Sequence, residues 1–477
     1  MKRLNEIFDT EYDTMIKDIK TSSKDINEGD LFVCIMGFNV DRHDYAKEAV
    51  EKGAKALVVK RYLEDIDVPQ IKVDDPNKEL INIVTKFYDY PSKKMKMVGA
   101  TGTDGKTTTT TIIYQLLNHL SKAGYLGTNG VKCPTYEDKS NNTTPTAEHL
   151  HRIFYNFVNE DCKYTVMECG SEGLSQGRCE TIEFDYSIFT NLTHEHLNWH
   201  KTMENYFDAK AILFRQTKKD GYSIINIDDE YGKKMAAESN GNVVYYGKDE
   251  EADYRFSDVE IFNDHTKFKL RFDNKTYDME IPLLGLFNVY NTTAALALIT
   301  KAGYTIEEVS PFFKELFIDG RMNPIELGQD YKVIVDYAHT PNGYLNLFEF
   351  TKTLKTRKTI IVAGSAGERD ATKRPTMGTI LVEHADHVIF TYEDPRTEDP
   401  SDIIDQMTSE VMDKKDKWEK IVDRHEAIKK AINMAEAGDM VLILGKGNET
   451  YETIGKEKIY FNDEEEARNA LKERLGL

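Results

Sequence analysis

Residues 99–107 read Gly99-Ala100-Thr101-Gly102-Thr103-Asp104-Gly105-Lys106-Thr107 and join a strand-like segment to a helix-like one. The segment 95–99 before them is strand-like, and after them apolar residues recur with helical spacing at Ile112, Ile113, Leu116, Leu117 and Leu120. Glycines let backbone N–H groups converge on phosphate oxygens, and a helix N-terminus adds partial positive charge. This order of strand, glycine loop and helix predicts an α/β fold with a nucleotide-phosphate site in the loop.

Two side chains of this loop have the chemistry of a phosphate site. Lys106 can reach the terminal phosphates of a nucleotide, and the hydroxyl of Thr107 can ligate Mg²⁺. Ala100 stands where the strict phosphate-loop pattern has glycine, so a glycine-rich turn without a ligand is the alternative. Asp104 must face away from the phosphates or meet a metal, because an acid beside phosphates repels them. The loop by itself does not separate a hydrolase, a kinase, a ligase and a switch protein.

Length and charge narrow the class of protein. The chain has 477 residues, enough for about three domains. Its net charge of -20 argues against a nucleic-acid or anionic-membrane binder. The five cysteines form no C-x-x-C pair, and residues 1–20 contain no signal-peptide core. No apolar run reaches membrane-spanning length, so we expect a cytoplasmic protein without membrane insertion.

Three sections can be distinguished along the chain, at residues 1–90, 91–322 and 323–477. In the first, strand-like segments 31–35 and 56–59 flank a helix-like segment 45–55, which predicts a small α/β unit. In the second, strands are predicted at 164–167, 186–189 and 223–227, antiparallel strands at 259–281, and a helix from about Asn288. In the third, apolar strands at 333–335, 359–362, 388–390 and 441–444 predict a largely parallel sheet with ligands at its carboxyl edge.

Further motifs follow the loop in a fixed order. In the second section they are Thr143-Thr144-Pro145, Glu168, Thr190-Asn191-Leu192-Thr193-His194-Glu195-His196-Leu197, Asp208-Ala209-Lys210-Ala211, Gly285-Leu286-Phe287-Asn288-Val289-Tyr290-Asn291 and Gly320-Arg321-Met322. In the third they are Asp336-Tyr337-Ala338-His339-Thr340-Pro341, Gly367-Glu368-Arg369-Asp370, Glu393-Asp394-Pro395-Arg396 and Gly445-Lys446-Gly447-Asn448-Glu449. With these motifs nearly the whole chain resembles the Mur ligases. The last three are similar to the branch that adds the third residue of the peptidoglycan stem.

The resemblance implies an architecture and an activity. The architecture is α/β with three domains: a small UDP-binding α/β domain, a central P-loop ATPase domain and a C-terminal Rossmann-like domain. The activity is an ATP- and Mg²⁺-dependent ligation of a diamino acid to UDP-N-acetylmuramoyl-L-alanyl-D-glutamate through an acyl phosphate. Of the two diamino acids considered, meso-diaminopimelate is favoured and L-lysine comes next. The oligomeric state is not predicted.

The resemblance also implies roles for individual residues. The catalytic residues would be Lys106, Glu168, His196, Lys210 and Arg321. The nucleotide would contact Gly102, Thr103, Gly105, Lys106, Thr107, Thr108, Asn288, Asn291, Arg321 and Asp336. The metal ligands would be Thr107, Glu168, His196 and Lys210 as a carbamate. The two substrates would contact Ser23, Thr143, Thr144, Ser171, Gln176, Arg178, Arg369, Asp394, Arg396, Gly445 and Glu449.

Other interpretations compete for several of these residues. Lys210 on its own reads as a surface lysine of an amphipathic helix, and His196 as a core histidine. A carbamate on Lys210 would reverse a positive charge that two metals and Lys106 would repel. Arg369 and Arg396 could clamp carboxylates, while Asp394 and Glu449 could hold ammonium groups. Positive and negative side chains together suit a substrate with two carboxylates and two amino groups. A structural pairing of Arg396 with Glu398 or Asp399 is the alternative.

The chain departs from the family pattern around the acceptor and amino-acid pockets. Gly170 and Glu172 stand where serine and histidine are usual, and Asp394 stands where asparagine is usual. A divergent ligase with another acceptor is therefore one rival hypothesis, as is a folylpolyglutamate synthetase, against which the additional N-terminal unit argues. A non-catalytic ATP-binding paralogue is the rival from a different class. The retained phosphate-loop and metal-site residues argue against that loss of activity.

Overall fold

The apolar segments of the N-terminal domain pair as a parallel sheet in the computed structural model, which describes residues 1–37, 40–139, 142–354 and 356–477. The strand order is β3-β4-β5-β6, and β4 and β5 are buried because side chains cover both faces. The elements are β1 (Lys2–Arg3), α1 (Leu4–Ile7), β2 (Met15–Ile16), β3 (Ile19–Lys20), β4 (Leu31–Val33), α2 (Ala46–Glu51), β5 (Ala56–Val59), β6 (Gln70–Lys72) and α3 (Pro76–Phe87).

The central domain is built on one long sheet with the order β10-β9-β8-β11-β7-β12-β13-β14-β15-β16-β17. Its middle is parallel, and both edges are antiparallel, which confirms the antiparallel strands predicted at 259–281. The elements are β7 (Lys96–Thr101), α4 (Lys106–Leu120), β8 (Ala123–Gly127), β9 (Gly130–Cys133), β10 (Tyr136–Asp138), α5 (Ala147–Asn159), β11 (Tyr164–Glu168), α6 (Ser171–Ser175), β12 (Phe184–Phe189), α7 (Leu197–His200), α8 (Met203–Arg215), β13 (Thr217–Asn226), α9 (Gly232–Ala237), β14 (Asn242–Gly247), β15 (Tyr254–Ile261), β16 (Thr266–Phe272), β17 (Lys275–Ile281), α10 (Leu286–Lys301) and α11 (Ile306–Val309).

The C-terminal domain has the strand order β18-β19-β23-β20-β21-β22 and is parallel except at β18. The four predicted apolar strands are confirmed as β19, β20, β21 and β23. The elements are β18 (Asn323–Pro324), β19 (Lys332–Asp336), α12 (Pro341–Thr351), β20 (Thr359–Ala363), α13 (Arg374–His384), β21 (His387–Phe390), α14 (Pro400–Thr408), β22 (Trp418–Lys420), α15 (Arg424–Met434), β23 (Met440–Leu444), β24 (Tyr451–Ile454), β25 (Glu457–Tyr460) and α16 (Asp463–Leu475).

Helices α4 and α10 pack together against the central sheet and share one apolar core with it. Most residues of α10 are buried, which explains why it is apolar almost all round rather than along one stripe. Across the described ranges, we find no helix whose length and apolar character would allow it to cross a lipid bilayer.

The carboxyl ends of the parallel strands in the central and C-terminal domains face a common cavity of about 1340 Å³. Its walls include the loop after β7, the last residue of β11, the last residue of β19 and the loops after β21 and β23. Ligands of open α/β sheets bind at this edge. The domain boundaries at 90/91 and 322/323 fall between sheets and stay predictions.

Candidate functional site

One cavity contains most of the residues that the sequence singled out. Five of the predicted site residues do not line it: Ser23, Gly102, Gln176, Asn288 and Gly445. Those that do are Thr103, Gly105, Lys106, Thr107, Thr108, Thr143, Thr144, Glu168, Ser171, Arg178, His196, Lys210, Asn291, Arg321, Asp336, Arg369, Asp394, Arg396 and Glu449.

The phosphate loop is shaped by a glycine and by a lysine that folds back onto it. Gly105 has a φ of +83°, and an added Cβ would lie 2.6 Å from Oδ1 of Asn291, so only glycine fits. The Lys106 ammonium donates to the carbonyl oxygens of Gly102 at 2.9 Å and Thr103 at 2.8 Å. Burial lowers the pKa of Lys106, and an anion placed in this loop would counter that effect by favouring the charged ammonium.

Glu168 ends β11 with its carboxylate fully buried and hydrogen-bonded. Oε1 accepts from the Tyr125 hydroxyl at 2.9 Å and the Thr128 backbone N–H at 2.8 Å. Oε2 accepts from the Thr107 hydroxyl at 3.0 Å, which joins the strand end to the first turn of α4. An added Cβ at Gly127 would lie 2.2 Å from Oε1, so this glycine makes room for the carboxylate.

Lys210 is buried, with 1% of its surface exposed, so the interpretation as a surface lysine is wrong. Its ammonium donates to the carbonyl oxygen of Gly102 at 2.7 Å, the same oxygen that Lys106 contacts, and lies 4.4 Å from the ring centre of Tyr206. Burial and the neighbouring Lys106 hold the pKa of Lys210 well below its usual value. A neutral amine is the form that reacts with carbon dioxide, so this environment suits the predicted carbamate.

His196 lies in the cavity wall, with 35% of its side chain exposed, so the interpretation as a core histidine is wrong. Its Nδ1 is 3.5 Å from a carboxylate oxygen of Glu172. Partial loss of solvent in the cavity wall, followed by the charges of Lys210 and Lys106, lowers the pKa of His196 below its usual value. The imidazole is therefore neutral and offers a lone pair, which a metal ligand requires.

Arg321 and Asp336 meet at the junction of the central and C-terminal domains. The Arg321 guanidinium stacks on the Tyr337 ring at 4.5 Å. The Asp336 carboxylate accepts from the backbone N–H groups of Met322 at 2.8 Å and Ala338 at 2.7 Å. Asp336 therefore fixes the course of the chain at this junction, which sets the direction in which Arg321 enters the cavity.

The predicted nucleotide contacts Asn288 and Asn291 lie in the first two turns of α10. The Asn291 amide donates to Oδ1 of Asn288 at 3.3 Å, while its own Oδ1 accepts from the Thr109 hydroxyl at 3.2 Å. Asn288 donates to the carbonyl of Leu284 at 2.8 Å and does not line the cavity. The structure thus gives Asn291 a place at the cavity and Asn288 a supporting contact behind it.

Thr144 and Arg178 organise another part of the cavity wall. The Thr144 hydroxyl donates to the Glu168 carbonyl and accepts from the Gly170 N–H, both at 2.9 Å. Arg178 donates to the Thr144 carbonyl at 2.5 Å and to Oε1 of Gln176 at 2.7 Å. Gln176 therefore orients Arg178 from outside the cavity, and Gly170 leaves space beside Thr144.

Two further predicted substrate contacts are held by neighbours. The Ser171 hydroxyl lies 2.9 Å from Nε2 of His200, a buried histidine that the sequence did not single out. Ser23 is 2% exposed, and its hydroxyl donates to Oε2 of Glu48 at 3.1 Å. The role of Ser23 in holding a substrate stays a prediction.

A buried lysine organises the acidic end of the cavity. Lys446 donates to Asp394 at 2.9 Å and to Glu449 at 3.0 Å, and the Tyr337 hydroxyl also reaches Glu449 at 3.3 Å. The sequence motif 445–449 contains Lys446 but does not indicate this role. Gly445 has a φ of +118°, and an added Cβ would lie 2.7 Å from Oε2 of Glu393, so it makes room for that acid. Burial raises the pKa of Glu393 to about 7.

Arg396 is not paired in the way that the alternative interpretation required. Its guanidinium donates to the carbonyl of Gly367 at 3.2 Å, while Glu398 pairs with Arg374 at 2.7 Å. In the described part of the chain, neither Glu398 nor Asp399 forms an ion pair with it within 4.0 Å. A cation on the cavity wall is therefore available to an anionic ligand.

A buried ion pair connects the central and C-terminal domains. The Lys373 ammonium contacts both carboxylate oxygens of Glu195, at 2.8 and 2.9 Å, and donates to the carbonyl of His339 at 3.0 Å. Both side chains are less than a tenth exposed. Nothing in the local sequence around either residue indicates this pairing, because they are 178 positions apart.

Comparison with known proteins identifies the family. The profiles described as Mur ligase middle domain, Mur ligase glutamate ligase domain and Mur ligase family catalytic domain match residues 100–299, 320–447 and 15–88. A protein of Fusobacterium nucleatum is 39% identical over 475 residues, covering 98% of this chain and 96% of its own length. A protein of Oceanobacillus iheyensis is 38% identical over 468 residues, covering 96% and 95%.

Both relatives are named UDP-N-acetylmuramoyl-L-alanyl-D-glutamate–2,6-diaminopimelate ligase. A solved structure of a ligase with the same name has a TM-score of 0.66 and 27% identity, and the match covers 98% of this chain and 97% of that one. The fold, the cavity and the 38–39% identity over nearly the full length of the chain all indicate the same family. The chain therefore belongs to the Mur ligase family of ATP-dependent, amide-bond-forming ligases.

Proposed function

We propose that this protein joins meso-diaminopimelate to UDP-N-acetylmuramoyl-L-alanyl-D-glutamate in the cytoplasm, in peptidoglycan precursor synthesis. The observation that carries the proposal is Arg396, a cation on the wall of the same cavity as Asp394 and Glu449, two acids of which the single charge of Lys446 compensates only one. A substrate with two ammonium and two carboxylate groups uses both signs. The names of the relatives at 38–39% identity support the same substrates.

The chemistry follows from the order of the groups around the cavity. The phosphate loop and Lys106 hold the ATP phosphates and draw charge from the γ-phosphate. The D-glutamyl carboxylate of the acceptor attacks that phosphorus. The bond to ADP breaks, ADP departs, and an acyl phosphate forms. The amine of the diamino acid then attacks the acyl carbon and phosphate leaves. Arg321, which enters from the domain junction, adds positive charge where the phosphoryl group is transferred.

The residues around Glu168 fit Mg²⁺. Thr107 and Glu168 supply hard oxygens within 3.0 Å of each other, which Mg²⁺ prefers. His196 offers a neutral nitrogen, and Lys210 would add two oxygens as a carbamate. Within the described ranges no three His, Cys, Asp or Glu side chains form a metal cluster by themselves. The proposed site therefore depends on the Thr107 hydroxyl, the carbamate and the phosphate oxygens that Mg²⁺ shares with its protein ligands. When bound, Mg²⁺ would neutralise charge on the phosphates.

A different acceptor is the second candidate, because Glu172 brings an unusual negative charge into the acceptor wall. Its carboxylate lies 3.5 Å from His196 and 3.9 Å from the Arg369 guanidinium. Arg369 is thereby partly compensated before any substrate arrives. An acceptor that carries less negative charge at this point would suit the pocket.

The test measures phosphate release with Mg-ATP and UDP-N-acetylmuramoyl-L-alanyl-D-glutamate, with meso-diaminopimelate and L-lysine in separate reactions. We expect release with meso-diaminopimelate and a UDP-tripeptide of the matching mass. Release with L-lysine alone would contradict the assignment of the amino acid. If protein that binds ATP releases no phosphate with either amino acid, the result would favour another acceptor.

Lys106→Ala is the matched catalytic control for this assay. It should reduce turnover by at least about a hundredfold, as losses of single charge-stabilising groups do. Near-normal activity of this variant would contradict the proposed mechanism.

A further inference from the structure

Asp104 is the acid of the phosphate loop, and its carboxylate reaches out of the central domain. Oδ1 accepts a hydrogen bond from the Thr340 hydroxyl at 3.2 Å. Oδ2 accepts from the side-chain amide of Asn342 at 2.9 Å. Both donors belong to the C-terminal domain. Both carboxylate oxygens therefore accept hydrogen bonds from the C-terminal domain. These bonds explain how the loop accommodates a carboxylate near the phosphate site.

The direction of the Asp104 side chain is set by its backbone. The Asp104 N–H donates to Oδ1 of Asn191 at 2.9 Å. Its carbonyl oxygen accepts from the Thr190 hydroxyl at 2.6 Å and from the Asn191 amide at 3.2 Å. Thr190 and Asn191 directly follow β12, so the central sheet anchors the residue that reaches across.

The partner of the carboxylate is the N-terminus of α12. Thr340 is the N-cap of this helix and accepts from the Gly343 N–H at 2.9 Å, while Pro341 occupies the first turn. A negative charge at a helix N-terminus is stabilised by the helix dipole. The contact thus combines two hydrogen bonds from side chains with a favourable charge–dipole interaction.

We propose that Asp104 is a positioning residue that docks α12, and with it the C-terminal domain, onto the phosphate loop. This inference rests on the ligase activity proposed above. Asp104 lies two residues before Lys106, and α12 directly follows the junction segment that contains His339. The loop that holds the phosphates therefore also locates the domain that presents the amine. Loss of the contact should lower kcat more than ATP affinity.

The test exchanges the two partners. Asn342→Asp places a second carboxylate opposite Asp104, and we expect kcat to fall about tenfold while the Kd of ATP changes by less than about twofold. The double variant Asp104→Asn with Asn342→Asp recreates an amide–carboxylate pair and should recover most of the lost kcat. Asn274→Asp, on the exposed turn between β16 and β17, controls for the added charge.

The contact has a second readout that does not need ligase turnover. In hydrogen exchange, Asn342→Asp should speed the exchange of the first turn of α12, and the double variant should restore its protection. An inactive wild type would refute the proposed function, and exchange would still test the docking. Unchanged kcat and unchanged exchange in Asn342→Asp, or no recovery in the double variant, would overturn the role of Asp104.

Discussion

Lys210 shows how burial changes the chemistry of a single side chain. The ammonium has a carbonyl and an aromatic ring as neighbours, and it shares that carbonyl with Lys106. Burial, followed by repulsion from Lys106, lowers the pKa of Lys210, so the neutral amine is favoured. A carbamate would remove the repulsion between Lys210 and Lys106 and supply two oxygens in the cavity.

We predict that Lys210 is carbamoylated in the active protein. Protein equilibrated with carbon-13 bicarbonate should show a carbamate carbon signal by NMR, and Lys210→Arg should lack both this signal and ligase activity. Lys201→Arg, on an exposed lysine of the same region, is the matched control and should retain the signal. A wild-type protein that is fully active without the signal would contradict this prediction.

Glu393 gives a prediction for the pH dependence of stability. Burial raises its pKa from 4.5 to about 7, so the folded protein keeps this proton after the unfolded chain has lost it. The stabilising contribution is complete below the unfolded value of 4.5 and is lost as the pH rises through about 7.

Glu393→Gln, which cannot titrate, should therefore lose less stability than the wild type between about pH 5 and about pH 8. The expected difference is on the order of 3 kcal/mol, and denaturant unfolding of both proteins at the two pH values measures it. Parallel losses in the two proteins would show that Glu393 titrates normally.

At the scale of elements, the end of strand β8 must leave space for the carboxylate at the end of strand β11. Gly127 ends β8, and Glu168 ends the adjacent strand with its carboxylate over that glycine. The pairing leaves no room for a Cβ at this position unless the Glu168 carboxylate or the Tyr125 hydroxyl moves. It also means that the direction of the Glu168 carboxylate depends on a neighbouring strand.

Gly127→Ala should displace the Glu168 carboxylate, because the new Cβ would lie 2.2 Å from Oε1. We expect ligase activity to fall at least about tenfold with a modest loss of stability, as overpacking of a buried site does. Kinetics and thermal unfolding of the same preparation measure the two effects. Wild-type activity of Gly127→Ala would show that the position of the Glu168 carboxylate does not depend on the absence of a side chain at residue 127.

The predicted elements that proved correct are those with a strong local signal. The strand at Ala56–Val59 and those of the C-terminal sheet are continuous apolar runs, because helices cover both faces of a parallel sheet. The helix predicted near Asn288 begins at Leu286. Strands β22 and β24 are among those that the local pattern does not predict, because each is short and polar and only its neighbours in the sheet or hairpin indicate it.

At the scale of the whole molecule, a buried ion pair holds two domains against the cavity. Lys373 and Glu195 are desolvated together, and each compensates the charge of the other. Removal of one partner leaves a buried charge without compensation. The observed arrangement of the two domains therefore depends on both partners of the pair being present.

Lys373→Met should destabilise this arrangement by about 3–5 kcal/mol, as broken buried pairs do. We expect ligase turnover to be lost and the radius of gyration, measured by small-angle X-ray scattering, to increase. The double variant Lys373→Met with Glu195→Gln should recover compactness, because no unpaired charge remains. Equal scattering of Lys373→Met and wild type would contradict this role.

The sequence by itself determined the α/β class, the phosphate loop, the order of the family's motifs and about half of the strands. These features are local, because a strand, a glycine turn or a motif is defined by residues close together in the chain. Only the tertiary structure showed that Lys210 is buried, that Arg396 is not paired with Glu398, and that Asp104 and Glu195 contact the C-terminal domain. Burial and charge pairing depend on residues that are distant in the chain, from 24 positions for Arg374 and Glu398 to 236 for Asp104 and Thr340, and folding alone brings these together.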